Sequence, residues 1–492
     1  MTTPPPSAPE AVSAPAPSPG SAPQTRGLRL AATVVALIWP AQVLTAAGLL
    51  GSNAQAGVAI HFRTTDIVWF MLALGLVTTV VTPFAVRFGD FYGKKRVMLA
   101  AAAIGLVGDV IAATATSYDV LLIGRSLAGV YGVMTPLVYA LVRDVFPPKH
   151  VALVSSLIGG SMSVVAIGGP FLSGWLVDSH GFRGVLWFIA AATAVSLVLI
   201  ATLVPECSLR IPRVPVDWLG GLLLGGGAAA ITYALGKGST WGWTSGTFLA
   251  YALGTAAAFT AFVVVELKAA HPLIDVRMLS RRQVWSVLLV TGVVGGLATG
   301  ATLVTSLLML LPNIPGVSFG FGISATKAAL YGLPGSILML ATVAVTGLTL
   351  RRLDARVPIL FGTLVGGAGL VLLALWHDTI WHTAIGTAVF VTGLGAIVAC
   401  GPVMLLRVVA PHELGTLNGV NVILQGVAGA IGTQLVFVLL AKSGTVVKGT
   451  QFYSDVSFRN AYLLGAGFLL AGALLLALIP KLAPVEVTPS AE

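Results

Sequence analysis

The sequence is poor in charged residues, which make up 9% of its 492 residues, whereas apolar residues make up 57%. The mean hydropathy of +0.96 excludes a water-soluble globular protein, because this composition leaves too few polar side chains to cover a surface. The net charge of +10 is spread between apolar segments rather than gathered on a polar domain, so nucleic acid is not an expected partner. We expect an integral membrane protein.

Cysteine and histidine are scarce as well. Two cysteines, Cys207 and Cys400, are too few for a disulfide framework or a CxxC metal site. Seven histidines form no HxxxH or HExxH pattern, so no metal and no other cofactor is expected. The segment LGKGST at 235–240 lacks P-loop spacing, and no long polar region is present to hold a catalytic site. These absences argue against an ATP-driven pump and against an enzyme.

The two ends of the chain have little apolar surface to bury. Residues 1–27 are rich in proline and alanine, which predicts a disordered cytoplasmic tail. Residues 483–492 are expected to form a second cytoplasmic tail. The first tail has no basic segment followed by an apolar one. A cleaved signal peptide is therefore not expected, and the first apolar run should direct insertion.

Between the tails, apolar runs of about 20 residues recur, each long enough to cross ~30 Å of hydrocarbon. This pattern predicts an all-α protein with fourteen transmembrane helices. The predicted spans are 31–58, 66–86, 97–116, 119–142, 151–177, 184–204, 217–236, 247–267, 284–311, 324–350, 357–376, 383–407, 415–440 and 459–480.

The basic residues predict the orientation of these spans. With a cytoplasmic N-terminus, nineteen of the 27 basic residues fall on the inner side and seven on the outer side, and Arg125 lies within a span. Positive charge accumulates on cytoplasmic loops. We therefore expect a multi-pass protein of the cytoplasmic (plasma or inner) membrane with both termini in the cytoplasm.

The stretch GDFYGKKR at 89–96 gathers charge in a short loop between two apolar runs. Anchoring a helix end is the simpler role for its basic triplet. The spacing also resembles the signature loop of the major facilitator superfamily, G-x-x-x-D-x-x-G-R/K-R/K, although Val86 replaces the first glycine. The residues concerned are Gly89, Asp90, Gly93, Lys94, Lys95 and Arg96.

Further motifs extend this resemblance along the chain. Arg125 and Gly129 match the R-x-x-x-G element of the fourth span. AIGGPFLSGWL resembles the G-P-x-x-G-G element of antiporters through Gly168, Gly169, Pro170 and Gly174, although Ser173 replaces one glycine. The segments DWLGGLLLGGGAAAITYALGKGSTWGW, HPLIDVRML and LNGVNVILQGVAGAIG resemble the central and penultimate spans of the fourteen-span drug:proton antiporter branch. The sequence is thus similar to that branch of the superfamily.

The resemblance implies a fold and a mechanism. Two six-helix bundles, 28–208 and 271–482, would enclose a central cavity and rock in alternating access, with two extra helices inserted at 209–270. In this family the loop aspartate braces one bundle against the other, which places Asp90 near the helix start at 415–418, held by Lys94 and Arg96. The implied function is export of a lipophilic drug, antibiotic or secondary metabolite by proton antiport, with multidrug efflux as the setting.

Two ionisable side chains lie inside predicted spans, where an unpaired charge is costly. Helix geometry places both Asp109 and Arg125 about 10 Å below the outer surface, within reach of each other. They form either a structural ion pair or a proton-coupling pair in which Asp109 exchanges the proton and Arg125 tunes its pKa.

One departure from the branch leaves a second function open. Relatives usually carry an acid in an L-D-x-T-x-x-N pattern in the first span, but Gly48 stands at that position here and 30–61 contains no acid. Either Asp109 takes over, or the protein transports or flips a lipid-like substrate without the usual proton coupling.

Polar and aromatic residues within the spans are candidates for the cavity wall. The expected partners are a lipophilic small molecule, protons and membrane lipid, and we expect a monomer. The candidate lining residues are Asn53, Gln55, Trp39, Tyr131, Tyr139, Trp285, Asn421 and Gln425.

Overall fold

The structure is a computed structural model that describes residues 27–206, 217–269, 276–350, 354, 356–408 and 414–476. Apart from one small hairpin these residues are almost entirely helical. In chain order the helices are α1 Gly27–Phe62, α2 Trp69–Tyr92, α3 Lys94–Thr114, α4 Tyr118–Ala128, α5 Met134–Val145, α6 Pro148–Leu203, α7 Trp218–Trp241, α8 Gly246–Lys268, α9 Val276–Leu279, α10 Arg282–Leu288, α11 Gly295–Leu297, α12 Gly300–Leu310, α13 Ala325–Thr349, α14 Arg356–Leu375, α15 Ile380–Val408, α16 Leu414–Lys442 and α17 Asp455–Leu475.

Twelve of the described helical segments are long and apolar enough to cross a membrane. One of them, Leu157–Leu203, is 47 residues long and contains a non-helical residue, Gly181, at φ 66° and ψ −170°. A shorter apolar segment, Trp69–Thr82, lies within α2. The structure thus shows a helical membrane protein with many spans, and the number fourteen remains a prediction.

Two predicted spans are not regular α-helices. The fourth is interrupted by a 3-10 segment at Gly129–Val133, between α4 and α5. The ninth contains a π-helical segment, Leu289–Val294, between α10 and α11. Apolar patterning predicts that such a segment crosses the membrane, but it carries no information about local changes in hydrogen bonding.

Serine and aspartate side chains define where several helices begin. The hydroxyls of Ser117, Ser245 and Ser324 accept hydrogen bonds from backbone N–H groups three residues later, at the starts of α4, α8 and α13. Asp217 does the same at the start of α7, at 2.7 Å from Gly220 N. These caps satisfy N–H groups that a helix start leaves unpaired, so the turns preceding these helices are encoded locally.

The helices pack into two groups with a pair between them. In the first bundle, α1–α6, α1 packs along α6, and α3 packs against both α4 and α6. In the second bundle, α10–α17, α14 packs against α15 and α17, and α13 against α15. The pair α7 and α8 pack on each other, and α7 contacts α2 of the first bundle and α16 of the second.

A β-hairpin marks one end of the molecule. Strands β1 Thr445–Val447 and β2 Thr450–Phe452 pair antiparallel between α16 and α17. Thr450 Oγ1 donates to Ala59 O near the end of α1, so the hairpin of the second bundle touches the first bundle. We call this the hairpin end. Because α17 starts beside the hairpin and α1 finishes there, both ends of the described chain lie at the opposite end.

Candidate transport cavity

A cavity of about 540 Å³ lies between the two bundles. Its walls come from α1 and α6 of the first bundle and from α12, α13 and α15 of the second, together with single residues of other elements. None of the described lining residues carries a charge. The polar lining residues are Thr45, Ser52, Asn53, Thr299, Thr302, Thr305, Ser306, Tyr331, Ser336, Thr387 and Thr433.

Gly48 lies in the wall of this cavity. No heavy atom approaches within 4 Å of the position that a Cβ atom would take there. The place at which members of the antiporter branch carry an acid is therefore open space, and the described lining residues supply no acid from elsewhere. In the part of the chain that the structure describes, the cavity wall is thus hydroxyl-rich and apolar and carries no fixed charge.

Of the candidate lining residues, Asn53 is in the wall, and the others lie outside it. Several of them join helices instead. Trp39 Nε1 donates to Ala192 O at 3.0 Å, and Asn421 Oδ1 accepts from Thr291 Oγ1 at 2.9 Å. Tyr131 Oη donates to Ser196 Oγ at 2.7 Å. A polar group inside a span needs a partner, and a neighbouring helix supplies one as readily as a substrate does. The remaining four, Gln55, Tyr139, Trp285 and Gln425, also lie outside the lining.

Asp109 is buried within the first bundle, with 5% of its surface exposed. Its Oδ2 atom accepts a hydrogen bond of 2.7 Å from Thr193 Oγ1 of α6. This carboxylate does not belong to the cavity lining. It therefore lies behind the wall, in the packed interface between α3 and α6.

Arg125 is fully buried and points toward α1 and α2. Its Nε donates to Phe70 O at 3.3 Å, and the guanidinium lies over the Phe70 ring at 4.7 Å. The two terminal nitrogens have no hydrogen-bond partner among the described residues, and one lies beside Gly51. The expected ion pair with Asp109 is not formed among these residues. The reason is that Asp109 turns toward α6 and Arg125 toward Phe70.

The charged loop is a tight connection between α2 and α3. Gly93 has φ 99°, a conformation that favours glycine, and it lets α3 begin immediately after α2 ends. Lys94 forms an ion pair with Asp144, Lys95 Nζ donates to Ala201 O, and Arg96 pairs with Glu206 at 2.9 Å. The basic triplet thus ties the loop to α5 and to the end of α6.

The predicted contact between Asp90 and the start of α16 involves side chains that the structure does not describe. The side chains of Asp90, Thr416 and Asn418 lie outside the described residues, and so does the segment 409–413 that precedes α16. Bracing of Asp90 against the start of α16 therefore stays a prediction.

The antiporter-type element of the fifth span has a clear position. Pro170 lines the cavity, whereas Gly174 lies one turn further toward the hairpin end. A Cβ atom at Gly174 would lie 2.6 Å from Thr326 Cα of α13, so only glycine permits this approach. Gly168 faces open space, and Gly169 packs against Leu49.

A carboxylate completes this contact between the bundles. Asp178 accepts hydrogen bonds of 2.9 Å from Ala325 N and 2.9 Å from Thr326 N, at the start of α13. The N-terminus of a helix favours an anion, because its N–H groups are unpaired and its dipole is positive there. We call Gly174, Asp178, Ala325 and Thr326 the interbundle clasp. Nothing in the chain near Asp178 identifies its partner, which is 147 residues away.

Two helical bundles around a central cavity with hydroxyl-bearing and apolar walls, joined by a clasp at one end, define a class of protein: a membrane transporter. The chain belongs to the major facilitator superfamily, since the family profile described as Major Facilitator Superfamily matches residues 30–433.

Several relatives are named as exporters. The sequence is 28% identical over 399 residues to the probable actinorhodin transporter of Streptomyces coelicolor, covering 77% of this chain and 67% of that protein. It is 27% identical over 436 residues to the tetracenomycin C resistance and export protein of Streptomyces glaucescens, covering 82% and 76%. An uncharacterized MFS-type transporter of Mycobacterium tuberculosis is 29% identical over 332 residues, which cover 63% of this chain. The chain spans about half of that relative's length, 48%.

Solved structures agree on the fold. The POT family transporter PepTSo superposes with a TM-score of 0.64 at 14% identity, covering 92% of this chain and 98% of that one. The nucleoside transporter NupG superposes with a TM-score of 0.62 at 14% identity, covering 92% and 100%. These relatives and neighbours are transporters, not enzymes.

Proposed function

We propose that the protein is a secondary active transporter of the cytoplasmic membrane that exports an uncharged, lipophilic small molecule by proton antiport through alternating access. The observation that carries this proposal is the cavity without fixed charge between two bundles. Both termini face the cytoplasm, so the hairpin end faces outward. The unit of transport is a monomer.

The proposed topology has fourteen spans. Dividing Leu157–Leu203 at Gly181 and adding the apolar segment Trp69–Thr82 to the twelve described spans gives that number. The bundles 28–208 and 271–482 then flank the two inserted helices of 209–270. The described contacts of α7 with both α2 and α16 support a central position for the inserted pair.

The lining supports the proposed substrate class. Hydroxyl groups from five helices or their ends can exchange hydrogen bonds with oxygen atoms of a substrate, and Phe171, Tyr331 and Phe390 offer aromatic surface. A cationic substrate would leave its charge without a carboxylate in this cavity, which is costly away from water. Uncharged, oxygenated aromatic compounds suit this lining better than cations do. The names of two relatives, which mention actinorhodin and tetracenomycin C, favour the same substrate class.

For proton coupling we propose Asp109 as the exchanging carboxylate, positioned by Thr193 and influenced by the charge of Arg125. An ionisable group that is buried in a span and held by a single side-chain hydrogen bond is a candidate for reversible protonation. Bracing by the charged loop, with Asp90, would stabilise one of the two cavity orientations.

The test uses inside-out vesicles acidified in the lumen, with a pH-sensitive dye as reporter. Tetracenomycin C, ethidium and a fluorescently labelled phospholipid are added in separate assays. Collapse of the gradient by tetracenomycin C, only when the protein is present, is the expected result. If no compound moves protons while the labelled phospholipid crosses the bilayer, the protein is a lipid transporter without proton coupling, and the proposal fails.

The position of the cavity gives a first mutational prediction. Ser336 of α13 lines the cavity, whereas Leu338 on the same helix does not and is 47% exposed on the outer surface of the helical bundle. We expect Ser336→Trp to fill the cavity and to reduce transport by about tenfold or more, equivalent to ~1.4 kcal/mol of binding free energy. Leu338→Trp is the matched control and should transport normally. Equal transport by the two variants would place the substrate pathway elsewhere.

A further inference from the structure

One line of contact between the bundles, α2 against α16, is covered by the inserted pair α7 and α8. Helix α7 packs on both sides of this line. A Cβ atom at Gly225 would collide with Val80 of α2, and one at Gly236 would lie 2.7 Å from Gln434 Nε2 of α16. The two glycines are eleven residues apart, so α7 covers about 16 Å of the line. Helix α8 packs on α7 and is itself largely exposed.

Another line of contact, between α6 and α13, is joined at the hairpin end. There the interbundle clasp brings Gly174 against Thr326, and Asp178 accepts hydrogen bonds from the start of α13. In the described part of the chain, α7 packs along α2, α8 and α16, and α8 packs along α7 and α9. The inserted pair therefore does not cover the line between α6 and α13.

The face of α6 that forms the clasp can be followed away from the hairpin end. Residues seven apart lie on nearly the same face, because seven residues make almost two helical turns. Phe171, seven residues before Asp178, lines the cavity. Val164, seven residues earlier again, is 72% exposed. Gly160, fourteen residues before Gly174, has no heavy atom within 4 Å of a Cβ position.

The facing side of α13 shows the same change. Leu333, seven residues after Thr326 of the clasp, lines the cavity. Ile337, one turn further on, is 52% exposed. Gly347, fourteen residues after Leu333, is exposed and has no heavy atom within 4 Å of a Cβ position. The two helices thus touch at the clasp, line the cavity next to it and stand apart beyond the cavity.

We call the opening between these two faces the lateral seam. It runs from the cavity to the end opposite the hairpin, between Val164 and Gly160 of α6 and Ile337 and Gly347 of α13. The side chains named on its two edges are apolar, and so is the exposed Leu157 further along the same face of α6. Such edges are suited to hydrocarbon, whereas a passage for a water-soluble compound needs polar groups.

We propose that a lipophilic substrate enters the cavity sideways from the bilayer through the lateral seam, while the inserted pair keeps the line between α2 and α16 closed to lipid. This inference rests on the proposed function and the proposed orientation, which place the seam in the inner half of the membrane. Lipophilic compounds are concentrated in hydrocarbon relative to water, so this route raises the substrate concentration at the cavity. The clasp closes the same line at the hairpin end, which keeps the substrate from leaving sideways there.

The experiment measures how a reagent dissolved in the bilayer reaches the cavity. Thr302→Cys places a thiol in the cavity wall of the full-length protein, in which Cys207 and Cys400 are replaced by alanine. N-hexadecylmaleimide, which partitions into the bilayer, and a charged maleimide, which stays in water on both sides, label the reconstituted protein in separate reactions. Val164→Trp should slow labelling by the lipophilic reagent about tenfold, because the indole fills the seam. Labelling by the charged reagent should be unchanged, which also shows that the cavity is intact.

Two variants of α13 separate a block of the seam from a general effect. Ile337→Trp fills the seam from the facing helix and should slow the lipophilic reagent as Val164→Trp does. Val345→Trp is the matched control, because Val345 is 58% exposed and lies on the face of α13 opposite Gly347. It should label with both reagents as the parent does.

The proposed route is overturned if both seam variants label normally with the lipophilic reagent, if both reagents are slowed equally, or if Val345→Trp is slowed as much. Labelling requires no transported compound, so its result is independent of the vesicle assay. If the seam variants alone are slowed but only the labelled phospholipid crosses the bilayer, the proposed drug export fails and the lateral seam stands. If tetracenomycin C moves protons while the seam variants label normally, the proposed function stands and the route is wrong.

Discussion

Replacement of Gly174 by valine is expected to abolish transport while leaving folded protein in the membrane. The Cβ atom would lie 2.6 Å from both Thr326 Cα and Thr326 N, which are backbone atoms and cannot turn aside as a flexible side chain does. The bundles would have to separate at this contact, and the two hydrogen bonds from α13 to Asp178 would lengthen. We therefore expect the transporter to remain open at the hairpin end.

Gly168→Val is the matched control for this prediction, because the same substitution in the same helix meets no atom within 4 Å. It should retain transport. The conformational effect is measured in a Thr302→Cys background, in which the cavity cysteine reacts with a membrane-impermeant thiol reagent added at the hairpin end. Labelling should be faster with Gly174→Val than with Gly168→Val. Equal labelling and equal transport would show that the clasp does not close the hairpin end.

Asp109→Asn is expected to uncouple transport from the proton gradient. Asparagine has nearly the same shape and still accepts a hydrogen bond from Thr193, but it cannot bind and release a proton. Uptake of tetracenomycin C driven by a pH gradient should fall by about tenfold or more, whereas exchange of labelled for unlabelled compound without a gradient should continue. The two assays on one preparation separate coupling from folding.

Asp119→Asn provides the comparison, because Asp119 is an exposed acid in the first turn of α4. Its removal should change neither assay. Undiminished gradient-driven uptake by Asp109→Asn would show that Asp109 has a structural role at the interface of α3 and α6. In that case the proton must be exchanged at another group.

Local features of the sequence account for much of the fold. The length and apolarity of the runs predicted membrane helices because crossing hydrocarbon depends on a segment's own length and hydropathy. The match of the family profile to residues 30–433 confirms the superfamily that the loop at 89–96 and the R-x-x-x-G element indicated. The cap at Ser117 is equally local, since the residues that it joins are three apart.

Which side chains meet was decided only by the tertiary structure. Helix geometry predicted from the sequence that Asp109 and Arg125 lie within reach of each other. In the structure Asp109 accepts a hydrogen bond from Thr193, and Arg125 donates one to Phe70 O. Gly174 was assigned to a motif, but its contact is with a helix start about 150 residues later, and the partner of Asp178 is equally distant. His377 carries no sequence pattern, and its contacts with Asp455 and Tyr462 of α17 come from tertiary packing alone. Hydropathy is a property of consecutive residues, whereas a cavity or a contact between bundles depends on the rotation and packing of helices far apart in the chain.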